Sequence, residues 1–541
     1  MAPKRERGAS VLCDIVANQA EALPDLDVLT FEHLSLDGGA TPDEVRTFSD
    51  LHLNGNAIAA WLVAKGLTVG DRVALMMRNH PEYVETLIGA SVAGVCLVPV
   101  DPRTKGDKLS FVLRDAACRG IICADYTYPA VKAAIDEGAP LEFVLVLTSG
   151  EEGAAPIQLG GAVSSLAEVL GDVASIPTVD VRLDTGAEAW QIMYTSGTTG
   201  DPKGVVWEAN RFGAVAMLGY LLGYQPGDRP YTGLSLTHGN AQAVTFGPSI
   251  AMGLRGVFSR KFTKSKLWDV TRAHGCTTFS MLGGMCTAIY SEPTRPDDAD
   301  NPVRMVISAG MPAAIWQSFE SRFDVKVFEW YGAVEGGMAF NPIGQGPIGS
   351  FGKPLGGLEM EIFDDEDRVC APGEVGEICS RPEGGAAVVE YHGKPEASAA
   401  KTRGGWLRSG DMGHRDADGW FYFDYRKGGG IRRNGDFVNI AFVEKALAEH
   451  PSVDDVFVYG VPAASGAPGE KDVVAAVVPR DRAAFDPAAV FAACREKLEP
   501  NFVPSYLHIV DEIPKTISEK PQERFLLDQF DPGAPNIVAA T

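Results

Sequence analysis

The chain has 541 residues, more than one ordinary core supports, so two or more domains are expected. Its composition, 45% hydrophobic and 22% charged, is that of a globular protein. A formal charge of -23, from 71 acidic against 48 basic residues, argues against a general binder of nucleic acid or anionic membrane and still permits one local anion site. Nine cysteines are scattered, odd in number and without a C-x-x-C pair, which points to reduced thiols and a cytoplasmic location. The N-terminal Met-Ala-Pro-Lys-Arg-Glu-Arg has charge but no following apolar stretch, so no signal peptide is expected. The longest apolar run, 87–100, is too short and too glycine-rich to span a bilayer.

Residues 1–185 alternate helical and strand patterns. Helices are expected over 54–63 and 81–93, and strands over 72–77, 95–100, 120–123 and 143–147. That order implies an α/β domain with mostly parallel strands. The stretch 148–164, rich in Gly, Ala and Glu, reads as an exposed loop. Next comes Met-Tyr-Thr-Ser-Gly-Thr-Thr-Gly-Asp-Pro-Lys-Gly-Val, residues 193–205, a strand entering a loop of small hydroxylated residues. A helix over 208–223 follows, then a strand over 230–236 that ends in Thr237-His238-Gly239-Asn240. Strands at 256–258, 277–279, 304–308 and 326–329 alternate with helices, the last strand leading into Trp330-Tyr331-Gly332-Ala333-Val334-Glu335. Beyond about residue 345, short alternating segments at 358–363, 376–380 and 420–424 with Gly and Pro breaks suggest antiparallel β structure. Gly428-Gly429-Gly430 reads as a flexible joint. The remainder has an α+β pattern, with helices at 441–449 and 487–498 and strands at 456–461 and 473–478.

The loop at 195–204 carries most of the chemistry. Gly197, Gly200 and Gly204 permit tight turns and close backbone approach, while Thr195, Ser196, Thr198, Thr199 and Lys203 add donors and one cation. That inventory suits a polyphosphate. It is not a Walker A loop, because no G-x-x-x-x-G-K-[ST] can be laid on it.

Residue for residue, Tyr194-Thr-Ser-Gly-Thr-Thr-Gly-x-Pro-Lys-Gly-Val205 resembles the signature loop of the adenylate-forming enzymes, the superfamily of acyl- and aryl-CoA synthetases, peptide-synthetase adenylation domains and firefly luciferase. The likeness extends over five motifs in family order, from 194 to 520. Tyr331-Gly332-Ala333-Val334-Glu335 resembles Tyr-Gly-x-Thr-Glu, which implies Tyr331 packing on adenine and Glu335 binding Mg²⁺ with Thr199; one carboxylate suffices for an ion that also takes phosphate oxygens. Val334 departs from the usual threonine. Trp406-Leu-Arg-Ser-Gly-Asp411 resembles the x-T-G-D motif, implying that Asp411 accepts bonds from both ribose hydroxyls. Arg426 and Gly435 align with the hinge motif, although Tyr425 replaces its aspartate, and Arg432 lies in the stretch that approaches the second substrate. Ile513-Pro-Lys-Thr-Ile-Ser-Glu-Lys520 resembles Pro-Lys-Thr-x-x-Gly-Lys, making Lys520 the family's catalytic lysine, with Glu519 in place of glycine. The variants at 433–436 and at Glu519 are similar to the carnitine- and crotonobetaine-type CoA ligases.

The resemblance implies a large N-terminal adenylate-forming domain over 1–425, with mixed sheets, helices and a small barrel-like β part, and a small mobile α+β domain over 426–541 that carries Lys520. It implies an AMP-forming acid–CoA ligase using ATP, Mg²⁺ and coenzyme A. Gly310, Met311, Pro312 and Gly332 are expected to line the nucleotide site, with His238 gating the carboxylate. The acid pocket is expected among Trp207, His238, Ala309, Gly310, Met311 and Trp330, a mostly apolar set that favours a hydrophobic acyl or aryl acid. Two rivals stay open: an adenylation enzyme that loads a carrier protein, and a catalytically weak nucleotide-binding relative. The sequence names no particular acid and leaves a homodimer open.

Overall fold

A computed structural model of the chain describes residues 6–151, 153–195, 202–427, 430–433, 436–464, 470–516 and 519–540. It divides into two compact units. The first takes the chain up to 263 with 273–280 and 389–400; the second takes 264–272, 281–388 and 401 onward.

The first unit bears out the α/β reading. Seven strands form one sheet in the order Val163–Ser165, Phe143–Leu147, Gly120–Ala124, Arg72–Met76, Cys96–Pro99, Ala189–Thr195 and Lys203–Glu208. All neighbours are parallel except the last pair. Gly120–Ala124 and Phe143–Leu147 are buried at every position, so they read as unbroken apolar runs and not as alternating ones. Ala74, Val98, Ile121, Val144 and Ile192 share one core on this sheet. The helix Pro81–Ala93 connects two of its strands, opened by proline in its first turn and closed by Gly94 at φ 71°. A second group in this unit pairs Asp27–Glu32 and Pro230–Thr232 with Gly256–Ser259, all parallel, and adds Glu44–Thr47 antiparallel.

Three local expectations are corrected. The stretch after the hydroxylated loop is first a strand, Lys203–Glu208, and the helix is Arg211–Leu221, not 208–223. Val205 and Val206 register against Met193 and Ile192, so antiparallel pairing fixes this strand. The strand expected over 230–236 stops at Thr232, and a π-helical turn, Ala241–Phe246, follows before Gly247–Met252. The loop at 148–164 contributes the edge strand Val163–Ser165.

In the second unit eight strands run in the order Met305–Ala309, Lys326–Ala333, Gly336–Asn341, Ser350–Pro354, Phe421–Arg426, Leu407–Arg415, Gly376–Pro382 and Leu358–Phe363. Only the first pair is parallel, so the antiparallel reading beyond 345 holds and begins earlier, at the 326–341 hairpin. The C-terminal part adds a four-stranded sheet of Val453–Pro462, Lys471–Pro479, Tyr506–Ile509 and Ile537–Ala539. Its second strand alternates strictly. Val473, Ala475 and Val477 enter one core with the helices Ile440–Ala448 and Pro487–Lys497, while Val474 and Ala476 enter another with Ile513 and Leu526. Gly428 and Gly429, the first two glycines of the expected joint, lie outside the described residues.

All nine cysteines are free and buried. Among the described residues, no helix is long and apolar enough to cross a membrane.

Gly352 fixes the crossing from Gly336–Asn341 to Ser350–Pro354. It sits at φ 114°, and a Cβ there would lie 1.9 Å from the Phe340 carbonyl carbon. Gly352→Ala should therefore destabilise by more than about 3 kcal/mol, combining the strain of that backbone region with a collision that no side-chain motion relieves. The midpoint of denaturant unfolding checks it, and an unshifted midpoint would overturn the pairing of these two strands.

Candidate active site

The site in the second unit is built on a hairpin. Lys326–Ala333 and Gly336–Asn341 pair antiparallel, with Val334 and Glu335 as the two residues of the turn between them. Glu335 is thereby a turn residue. Tyr331 stacks on Phe351 with ring centroids 4.6 Å apart, and its hydroxyl donates to Asp411 Oδ2 at 2.7 Å. Burial and the Asp411 charge push the phenol well above its ordinary pKa, so it stays a donor.

Asp411 lies on a strand, Leu407–Arg415, and not in a simple turn. Its register partner across the sheet is Arg426, whose Nε is 2.6 Å from Asp411 Oδ1. Asp411 Oδ1 is buried and faces the guanidinium as an ion pair. The backbone beneath is pinned: Asp411 N donates to Ser409 Oγ at 2.9 Å, and Gly410 N to Glu377 Oε1 at 2.9 Å.

Lys520 comes to the same place. A tight turn forms it, with Thr516 N donating to Lys520 O at 2.8 Å and Lys520 N to Thr516 Oγ1 at 3.1 Å. Glu519 holds φ 57°, the left-handed conformation that the motif's usual glycine adopts without strain. The Lys520 side chain still reaches solvent, yet the protein gathered around its ammonium lowers the pKa, helped by Arg426 and opposed by Asp411 and Glu335. Glu335 is nearly covered, at 10% side-chain exposure, with Lys401 Nζ 3.9 Å from its Oε1. Tyr331, Glu335, Lys401 and Ser409 line one narrow cleft.

The expected turn at 310–312 has an occupant that the sequence did not announce. Glu329, 3% exposed, accepts the N–H of Gly310 and, at 3.1–3.2 Å, that of Met311. Those N–H groups therefore serve Glu329, and the turn offers a ligand its remaining atoms. Burial pushes the Glu329 carboxyl up to about 8 against the pull of these donors. A lone glutamate within Val-Phe-Glu-Trp carries no signal; only the parallel register of Ser308 with Glu329 reveals it. Trp330 is buried with an indole N–H that has no partner among the described residues. Arg432 is in an exposed ion pair with Glu470, 3.8 Å apart.

The first unit carries the other expected residues. Thr195 and Lys203 are register partners across the antiparallel pair, and Thr195 Oγ1 donates to Lys203 O at 3.3 Å. The hydroxylated loop thus connects two strands of a hairpin. Its residues Ser196, Gly197, Thr198, Thr199 and Gly200 lie outside the described residues, as does Gly435. His238 accepts the Asn240 N–H on Nδ1 at 3.2 Å, and Trp207 is buried beneath the Arg211 guanidinium, 4.3 Å from its centroid.

A buried carboxylate, a second carboxylate at a turn and cations near each gather in this unit. Comparison with known proteins then fixes the family. Residues 16–388 match the family model described as AMP-binding enzyme, and 443–520 match the AMP-binding enzyme C-terminal domain. This chain belongs to the AMP-binding enzyme family. A crotonobetaine/carnitine–CoA ligase of Salmonella paratyphi C (strain RKS4594) is 28% identical over 489 residues, covering 88% of this chain and 92% of that protein. Among solved structures, an anthranilate CoA ligase in complex with anthranoyl-AMP matches with a TM-score of 0.81 at 23% identity, covering 96% of each chain. A benzoate CoA ligase from Burkholderia xenovorans LB400 matches with a TM-score of 0.77 at 21% identity, over 95% of this chain and 99% of that one. These structural likenesses concern the fold.

Asp411→Ala should weaken AMP binding about 10- to 100-fold, the range expected for losing charged hydrogen bonds. Calorimetric titration with AMP checks this, and wild-type affinity would remove Asp411 from the site. Glu329 generates a pH dependence. Because its folded pKa is raised, its stabilisation is full below the ordinary carboxylate pKa of 4.5 and is lost as pH rises through about 8. Glu329→Gln cannot titrate, so wild type should lose stability relative to this variant across that window. Parallel curves of unfolding free energy against pH would refute it.

Proposed function

We propose that this chain is an AMP-forming acid–CoA ligase. The observation that carries the reading is the convergence of Tyr331, Asp411, Arg426, Glu335 and Lys520 in one unit. The names of the relatives, all acid–CoA ligases or synthetases, support the same reaction class.

A carboxylate is a poor electrophile, and the reaction runs in two steps. A carboxylate oxygen attacks the α-phosphorus of ATP, the α–β phosphoanhydride bond breaks, and pyrophosphate leaves. The sulfur of CoA then attacks the acyl carbon, the bond to AMP breaks, and AMP leaves with the electron pair. Asp411 holds the ribose, and Tyr331 and Arg426 keep that carboxylate in place. Lys520 meets the negative charge that builds as the carboxylate and α-phosphate join. Glu335, a single nearly covered carboxylate, is of the right type for Mg²⁺, and Thr199 is its proposed companion. When bound, that ion would draw off charge developing on the leaving pyrophosphate.

We assign 1–425 to the ATP- and acid-binding domain and 426–541 to a lid that carries Lys520. Across that boundary Lys264 Nζ lies 3.0 Å from Asp454 Oδ1, and Ser291 Oγ donates to the Asp454 carbonyl at 2.9 Å. A partly exposed ion pair of this kind contributes roughly 0–1 kcal/mol, so it does not by itself prevent release of the lid between half-reactions. Trp330, apolar apart from one unpaired N–H, favours a hydrophobic acyl or aryl acid. Free, buried thiols suit the reducing cytoplasm.

Lys520→Ala should separate the two steps. Adenylation, followed by pyrophosphate exchange over a panel of acyl and aryl acids, should fall about two to three orders of magnitude, the effect of removing a cation worth roughly 3–4 kcal/mol in the transition state. Thioester formation from synthetic acyl-adenylate and CoA should survive. Equal losses in both assays would contradict this role for Lys520.

A further inference from the structure

Lys401 is a cation beside the metal carboxylate that no family motif claims. It is the last residue of the helix Pro395–Lys401, and its side chain is 21% exposed. Its ammonium donates to the Ser409 carbonyl at 3.2 Å and lies 3.9 Å from Glu335 Oε1. The first contact ties it to the strand that carries Asp411, two residues on. The second leaves it beyond hydrogen-bond distance of Glu335. An ammonium has three donors, and Ser409 takes one. The same side chain lines the cleft shared by Tyr331 and Glu335.

Charge decides what such a lysine can do. A carboxylate beside a polyphosphate repels it unless cations stand between, and one divalent ion does not balance the three phosphates of ATP. The turn itself contributes no side-chain donor, because Val334 stands where a threonine is usual. Lys401 is held by the Ser409 carbonyl and stands 3.9 Å from Glu335.

We infer that Lys401 is a further catalytic residue of adenylation, contacting the β- and γ-phosphates of ATP and the pyrophosphate that leaves. This rests on reading the chain as an adenylate-forming ligase.

The test needs no knowledge of the acid. Full-length wild type, Lys401→Met, Lys401→Gln and Lys401→Arg are titrated with ATP, AMP and pyrophosphate at fixed Mg²⁺. Lys401→Met and Lys401→Gln should each lose at least about tenfold in affinity for ATP and pyrophosphate, the scale of one charge-assisted contact, and less than about twofold for AMP. Lys401→Arg should recover most of the loss. Equal weakening toward ATP and AMP in both neutral variants would reduce Lys401 to a support for Glu335 and overturn the proposal, as would wild-type ATP affinity in both. If wild type itself bound neither nucleotide, the ligase reading would fail, an outcome distinct from either.

Discussion

The second unit depends on one buried carboxylate. Asp411 is 6% exposed and carries its charge between a tyrosine hydroxyl and an arginine. Enclosing such a group is costly unless it is paired, and here a hydroxyl and a guanidinium pair it. The cost is met by the sheet. Leu407–Arg415, Phe421–Arg426 and the 326–341 hairpin fix the three partners through backbone pairing, so the side chains converge without having to be ordered by the ligand.

Arg426 and Lys520 share the neighbourhood of Asp411, while Lys401 attends Glu335. Lys520 is reached through a turn that strains Glu519 into a left-handed conformation. That turn belongs to the C-terminal part, which has its own two cores. Glu329 works in the opposite sense, as a fixed buried acid that clamps the 310–311 turn against the strand leading to Tyr331.

The sequence by itself determined the class of chemistry and most of the architecture. Buried parallel strands such as Phe143–Leu147 are legible because burial on both faces demands an unbroken apolar run. The motif residues are legible because the reaction fixes their types and order. Tertiary structure alone decided the rest. Lys203–Glu208 is a strand because Ala189–Thr195 lies beside it. Asp411 is on a strand because Arg426 is its register partner. Glu329 and Lys401 carry no sequence signal, since a lone Glu or Lys is common on any surface. What gives each its role is a neighbour far along the chain, a backbone N–H at 310 or a carboxylate at 335, and local propensity cannot encode a contact that only folding creates.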